Sequence, residues 1–176
     1  DGDADLAVAI NGKDDVSVLL NNGDGTFAGP VSYGAGDRPN GVAIGDLDGD
    51  GDADLAVVNN GSNDVSVLLN NGDGSFLTEG PYPVGNDPFA LAIEDLDGDG
   101  ILDLAVANLQ NNTVGVLIGL GDGTFDTQVQ YPVGGFPNEL AIADLDGDGA
   151  PDLAVVNDAS NTVSVLIGIG DGSFED

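Results

Sequence analysis

The sequence predicts an all-β protein: a β-propeller of four-stranded blades of about 49 residues, present as an open arc of about three and a half blades. Three observations lead there. An acidic motif, "DLDGDG" followed by "DLAV", starts at Asp46, Asp95 and Asp144, in steps of 49 residues. A second marker, "GDG" followed by Thr or Ser and Phe, ends at Phe27, Phe76, Phe125 and Phe174 with the same step, as does a third, Tyr33, Tyr82 and Tyr131. Between the markers lie short apolar runs bounded by glycine-rich turns, with no helical spacing.

Each unit reads as four strands. In the copy around Asp46, "GVAIG" (41–45) is the first strand, and the acidic loop leads into "LAVVN" (55–59), the second. After the turn "GSND" (61–64), "VSVLL" (65–69) is the third, with Val65 and Val67 alternating against Ser66. "NNGDGS" (70–75) has the Asp-Gly chemistry of a hairpin turn. The fourth strand is weaker and passes through "YPVG" (82–85); Pro81 and Pro83 suit an edge strand, where a missing N–H is harmless. Tandem four-stranded units of this length match propeller blades. A β-helix would need much shorter coils, and a β-sandwich gives no reason for a locked period. The copies run 1–49, 50–98, 99–147 and 148–176. Counted in strands, the first copy lacks its first strand and the last copy lacks its fourth, so an arc is expected to leave a blade face and strand edges open.

Composition explains what the acidic loops require. The chain has 176 residues and a formal net charge of -30, with Lys13 and Arg38 as its only basic residues and no His. In "DLDGDGDAD", Asp46, Asp48, Asp50, Asp52 and Asp54 alternate directly before a segment that must be buried. Each pair about 5 Å apart costs roughly 3 kcal/mol at an effective dielectric near 20. The chain cannot neutralise this itself, so a cation from solution is expected. The same acidity repels nucleic acid and anionic membrane surfaces. With 41% hydrophobic residues there is enough apolar material for a core. No apolar run approaches the ~20 residues that span a bilayer, so no membrane insertion is expected. The absence of Cys removes disulfides and thiolate metal sites. The chain has no Met and begins inside an acidic motif, which reads as a piece of a longer or processed protein.

The loop pattern is Asp-x-Asp-x-Asp-Gly-x-x-Asp. Side chains at positions 1, 3, 5 and 9 can converge on one hard cation, and the carbonyl of position 7 can add a backbone oxygen. Calcium takes 6–8 oxygens and tolerates irregular geometry. The ligand sets are Asp46, Asp48, Asp50, Asp52 and Asp54; Asp95, Asp97, Asp99, Ile101 and Asp103; and Asp144, Asp146, Asp148, Ala150 and Asp152. Position 7 varies as Asp52, Ile101 and Ala150, which a backbone ligand allows. An EF-hand would need Glu at position 12 and flanking helices; here Val57, Val106 and Val155 stand there, inside strands. Asp1, Asp3 and Asp5 are what remains of a fourth motif, a partial site expected to bind weakly or not at all. The alternative is a solvated acidic turn without an ion, which gives no reason for four aspartates in fixed register.

This loop followed by "DLAV" at a 49-residue period resembles the FG-GAP/VCBS repeat, the calcium-binding blade also found in integrin α-subunit propellers. The resemblance covers essentially the whole chain. The family's Phe-Gly and Gly-Ala-Pro tags are only loosely present, as in "FAGP" (27–30), which leans toward the bacterial secreted type. It implies that the calcium loop joins the first and second strands on one propeller face and that ligands are engaged on the opposite face. That face would carry the loops 11–14, 60–64, 109–112 and 158–161, and the blade connections 36–40, 85–89 and 134–138, with Phe89 and Phe136 exposed. These loops can bind a sugar or a protein, or be ordinary polar turns. The recurring tyrosines read as blade-packing residues ahead of sugar platforms.

With neither His nor Cys, the usual catalytic bases and nucleophiles are absent, and no copy departs from its neighbours as a catalytic one would. The expected function is therefore a noncatalytic, calcium-binding extracellular module for binding or adhesion, with an unknown protein or carbohydrate ligand. The alternatives are the propeller portion of a larger secreted enzyme, for example one acting on polysaccharide, and a structural repeat that associates edge to edge.

Overall fold

A computed structural model describes residues 2–175, and among them every regular element is a β-strand. Among the described residues no helix is long and apolar enough to cross a membrane. The strands form four antiparallel sheets. The first holds β1 (Leu6–Ile10), β2 (Asp15–Leu19) and β3 (Val31–Gly34). The second holds β4 (Pro39–Gly45), β5 (Asp54–Asn59), β6 (Asp64–Asn70) and β7 (Phe76–Pro83). The third holds β8 (Pro88–Glu94), β9 (Asp103–Asn108), β10 (Thr113–Leu117) and β11 (Val129–Pro132). The fourth holds β12 (Pro137–Ala143), β13 (Asp152–Asn157), β14 (Thr162–Gly168) and β15 (Phe174–Glu175). Sequential strands are neighbours throughout, which is the meander of a propeller blade, and the four sheets make an incomplete propeller.

Two expectations need correction. The fourth sheet does not stop after three strands: Phe174 and Glu175 pair with Gly168 and Ile167 and begin an outer strand. The outer strand of the second sheet also starts earlier than the proline-rich stretch 82–85, at Phe76, because the hairpin turn returns the chain straight onto β6 with Phe76 opposite Asn70. Pro81 and Pro83 do lie on this outer edge, where no further strand needs their N–H.

The second sequence marker is explained by the turn it builds. Asp24, Asp73, Asp122 and Asp171 each accept the backbone N–H and the hydroxyl of the Thr or Ser two residues on. Those hydroxyl bonds come first among the causes that hold these four carboxyls below the ordinary range. The phenylalanine that ends the marker then packs edge-on against the tyrosine of the preceding sheet: Tyr33 on Phe76 at 5.2 Å, Tyr82 on Phe125 and Tyr131 on Phe174 at 5.4 Å. Two markers of the repeat thus meet at each sheet interface, and the tyrosines are packing residues.

The core lies between sheets. Val16 and Val18 of the first sheet pack on Leu55, Val57 and Leu68 of the second. Ala56, Val58, Val65 and Val67 pack on Leu104, Val106 and Leu117 of the third. Ala105, Ala107, Val114 and Val116 pack on Leu153, Val155 and Leu166 of the fourth. The second strands of the two interior sheets, β5 and β9, are buried on both faces, which is why they read as continuous apolar runs.

Candidate metal centre

Each acidic loop joins the first strand of a sheet to its second, at one rim of the arc. Its shape is held by its own carboxylates. Asp46 accepts the N–H groups of Gly49 and Gly51, Asp48 that of Asp50, and Asp50 that of Asp52. The third and fourth sheets repeat these four bonds, from Asp95, Asp97 and Asp99 and from Asp144, Asp146 and Asp148. The glycine after position 5 turns the chain at positive φ, 95° at Gly51, 87° at Gly100 and 96° at Gly149, where a Cβ would be strained.

This folding brings carboxylates together. Oxygens of Asp46, Asp48 and Asp50 lie within 4.8 Å of one another, as do those of Asp95, Asp97 and Asp99. In the fourth sheet the close set is Asp144, Asp146 and Asp152. The donors are hard anionic oxygens that no basic side chain pairs with among the described residues, the donor chemistry that suits calcium. The position-7 side chains stand elsewhere: a Cβ on Gly72 would lie 2.7 Å from a carboxylate oxygen of Asp52, and one on Gly121 would lie 3.0 Å from Ile101. Asp52 and Ile101 therefore lean over the neighbouring hairpin turn, and only the backbone at position 7 is offered as a ligand. Ala150 has no side-chain donor. In the N-terminal motif Asp1 lies outside the described residues; Asp5 accepts the N–H of Asn21 at 2.7 Å, and Asp3 lies beside Gly23 as Asp52 lies beside Gly72.

Position 9 has a second task that spacing did not reveal. Asp54, Asp103 and Asp152 are fully buried. One oxygen of each accepts the N–H of the loop leucine, from Leu47, Leu96 and Leu145, at 2.7–2.8 Å. The other accepts an N–H from the end of the third strand, from Asn70, Gly119 and Gly168, also at 2.7–2.8 Å. The carboxylate thus ties the loop's start to the sheet, and its remaining lone pairs are left for a cation. Burial pushes the carboxyls of Asp54 and Asp103 up, Asp103 to about 6, and the loop aspartates add to this against the two backbone bonds. At Asp152, where no further sheet packs over the loop, the bonds from Gly168 and Leu145 win and the carboxyl is held below the ordinary value.

The leucine at position 2 was also missed. Leu47 and Leu96 are each 1% exposed and sit in the clusters between their own sheet and the next, and their carbonyls accept the N–H of Gly123 and Gly172 from the next sheet's hairpin turn. The first two complete loops are therefore anchored by a neighbouring sheet, while Leu145 is 51% exposed. An apolar residue at fixed register inside an acidic loop was the available signal.

At the opposite rim the turns of successive sheets are tied together. Arg38, Asp87 and Phe136 occupy equivalent positions at φ of 55–58°, and their N–H groups are held by the side chains of Asp14, Asn63 and Asn112 of the preceding sheet. One backbone conformation thus presents a cation, an anion and an aromatic in turn. Phe89 and Phe136 are both exposed.

The family model described as FG-GAP-like repeat matches three overlapping stretches, residues 1–57, 46–106 and 95–155. No curated protein matches the chain. Among solved structures, an Agrocybe aegerita lectin described for specific recognition of non-reducing terminal N-acetylglucosamine is similar over 93% of this chain and 45% of its own, at 27% identity and a TM-score of 0.62. A Lactobacillus plantarum protein is similar over 97% of this chain and 50% of its own, at 22% identity and a TM-score of 0.75. The chain thus spans about half the length of each.

Proposed function

The chain belongs to the FG-GAP-like repeat family, and from that premise we propose that it is a noncatalytic binding module, stiffened by calcium and working outside the cell, whose ligand is a carbohydrate. The observation that carries the calcium part is the threefold recurrence of carboxylate oxygens drawn within 4.8 Å of one another. Asp46, Asp48, Asp50 and Asp54, with the Asp52 carbonyl, would hold the first ion; Asp95, Asp97, Asp99 and Asp103, with Ile101, the second; Asp144, Asp146, Asp148 and Asp152, with Ala150, the third. The cation supplies charge neutralisation, and the aspartates turn the loop. Calcium modules working at extracellular concentrations need affinities of only about 10⁻⁴–10⁻³ M, which open loops of this kind suit. The carbohydrate part draws on the likeness to the lectin and on the exposed rings of Phe89 and Phe136, which offer apolar surfaces beside polar turns on the rim away from the acidic loops.

The test is binding to an immobilised glycan ending in N-acetylglucosamine, with Phe89→Asn and Phe136→Asp as variants. These place at each site a residue already found at an equivalent position, Asn40 and Asn138 for the first and Asp87 for the second. Both variants should melt like the parent in calcium and bind at least about fivefold more weakly, since a stacked ring contributes on the order of 1 kcal/mol or more. Binding that survives both changes refutes the sugar site, and a melting curve indifferent to calcium refutes the metal.

A further inference from the structure

The interior sheet interfaces share one design. Each sheet has a front face, built from two residues of its second strand and one of its third, and a back face built from the alternate residues. Front faces are Leu55, Val57 and Leu68; Leu104, Val106 and Leu117; and Leu153, Val155 and Leu166, all nearly solvent-free under the preceding sheet's back face. The first sheet has the same front, 49 residues earlier, in Leu6, Val8 and Leu19, but Leu6 is 46% and Val8 43% exposed. The fourth sheet has the same back, in Ala154, Val156, Val163 and Val165, with Val163 62% exposed where its equivalents Val65 and Val114 are fully buried. Leu145, whose equivalents Leu47 and Leu96 are buried, extends this open surface.

We propose that a second copy of this chain covers these two faces, the back of the fourth sheet of one copy packing on the front of the first sheet of the other, and that two such contacts close a ring. The occupant follows from the interior interfaces. Three times within the chain a back face of this composition is mated to a front face of this composition, with Val16 beside Val57, Val65 beside Val106 and Val114 beside Val155 in one cluster each. Val163 of one copy and Val8 of the other complete the series. The contact is heterologous, so it closes only when the arcs sum to a full turn, and two solved proteins of this fold are about twice this chain's length. Among the described residues the fourth sheet carries no tyrosine to pack on Phe27 of the other copy, so this contact has no Tyr–Phe clip and is weaker than an interior interface. The formal net charge of -30 on each copy opposes it further, and that repulsion is screened where the Debye length falls below about 10 Å. The inference is independent of the calcium and sugar readings.

The test is light scattering and sedimentation of the 17.5 kDa chain in calcium and about 0.3 M salt, over roughly 1–200 μM. A concentration-dependent dimer of twice that mass is expected. Val163→Lys and Val8→Glu each change a side chain exposed in the single copy, so circular dichroism and melting of the monomer should be unchanged. Each should weaken dimerisation at least about 100-fold, as loss of a central interface residue does. Lysine lowers the net repulsion, so loss of the dimer in Val163→Lys is not due to added like charge. Mixing the two variants leaves one contact intact and pairs Lys with Glu in the other, and should restore a heterodimer. A parent that stays monomeric throughout overturns the proposal and leaves the faces to other repeats. An open ladder of species overturns the ring. A Val163→Lys variant that still dimerises, or a mixture that does not, overturns the head-to-tail contact.

Discussion

Replacing Asp97 by Asn separates the two forces acting on an acidic loop. Asn keeps an oxygen for the N–H of Asp99, which Asp97 accepts at 3.1 Å, but removes a charge whose neighbours, on Asp95 and Asp99, lie within 4.8 Å. At that separation each pair costs about 0.9 kcal/mol in water and about 3.5 kcal/mol at an effective dielectric of 20. Asp97 is half-buried and Asp99 exposed, so the lower end applies, and the variant relieves about 1–2 kcal/mol in the metal-free state. With calcium the same change removes a charged ligand. A 10–100-fold weaker site lowers the stabilisation at saturating calcium by about 1.4–2.7 kcal/mol. That loss is set against the roughly 1–2 kcal/mol relieved, so the variant's advantage should shrink or vanish in calcium. In chelator Asp97→Asn melts above the parent, and at saturating calcium this advantage falls by about 1.4–2.7 kcal/mol, at roughly 2–4 °C per kcal/mol for a chain of this size. Thermal unfolding by circular dichroism in both buffers measures it. An advantage in chelator that saturating calcium does not diminish refutes the account, because a loop strained by repulsion and relieved by a cation must lose that advantage when the ion binds.

Other outcomes follow from the same geometry. Asp103→Ala leaves the buried N–H groups of Leu96 and Gly119 without acceptors, so it should lose about 2–5 kcal/mol in urea unfolding already in chelator, where Asp97→Asn gains, and more in calcium, where a ligand is lost as well. The Asp103 carboxyl, raised by burial to about 6, favours the protonated folded state. Its stabilising contribution is complete below about pH 4 and is lost as pH rises through 6, so in chelator the melting temperature should rise on acidification from pH 7 to 5, while calcium affinity falls because protons compete; a flat profile would contradict this. Because Leu47 and Leu96 are buried under a neighbouring sheet and Leu145 is not, calorimetric titration of dilute monomer should resolve two tighter calcium sites and one weaker; three equal sites would count against the anchoring role of position 2. Phe125→Ala opens the Tyr82 contact in the middle of the arc and should cost about 3–5 kcal/mol by urea unfolding.

Much of this protein was legible in the sequence because a repeat reports on itself. The 49-residue step showed the blade, the buried second strand appeared as "LAVVN", and the variation of position 7 against constant aspartates at 1, 3, 5 and 9 marked which loop positions offer side chains. These are local properties, set by turn chemistry, strand pattern and charge within one unit. What needed the tertiary structure were the relations between units. Asp54, Asp103 and Asp152 appeared as ligands alone until the fold brought the N–H groups of Asn70, Gly119 and Gly168 to them from sixteen residues away. Leu47 and Leu96 differ from Leu145, and Val65 and Val114 from Val163, only in whether another sheet lies over them. Identical residues in identical loops therefore end in different environments, because burial and the pKa shifts it causes depend on what packs against a unit, and the residues within the unit do not specify that.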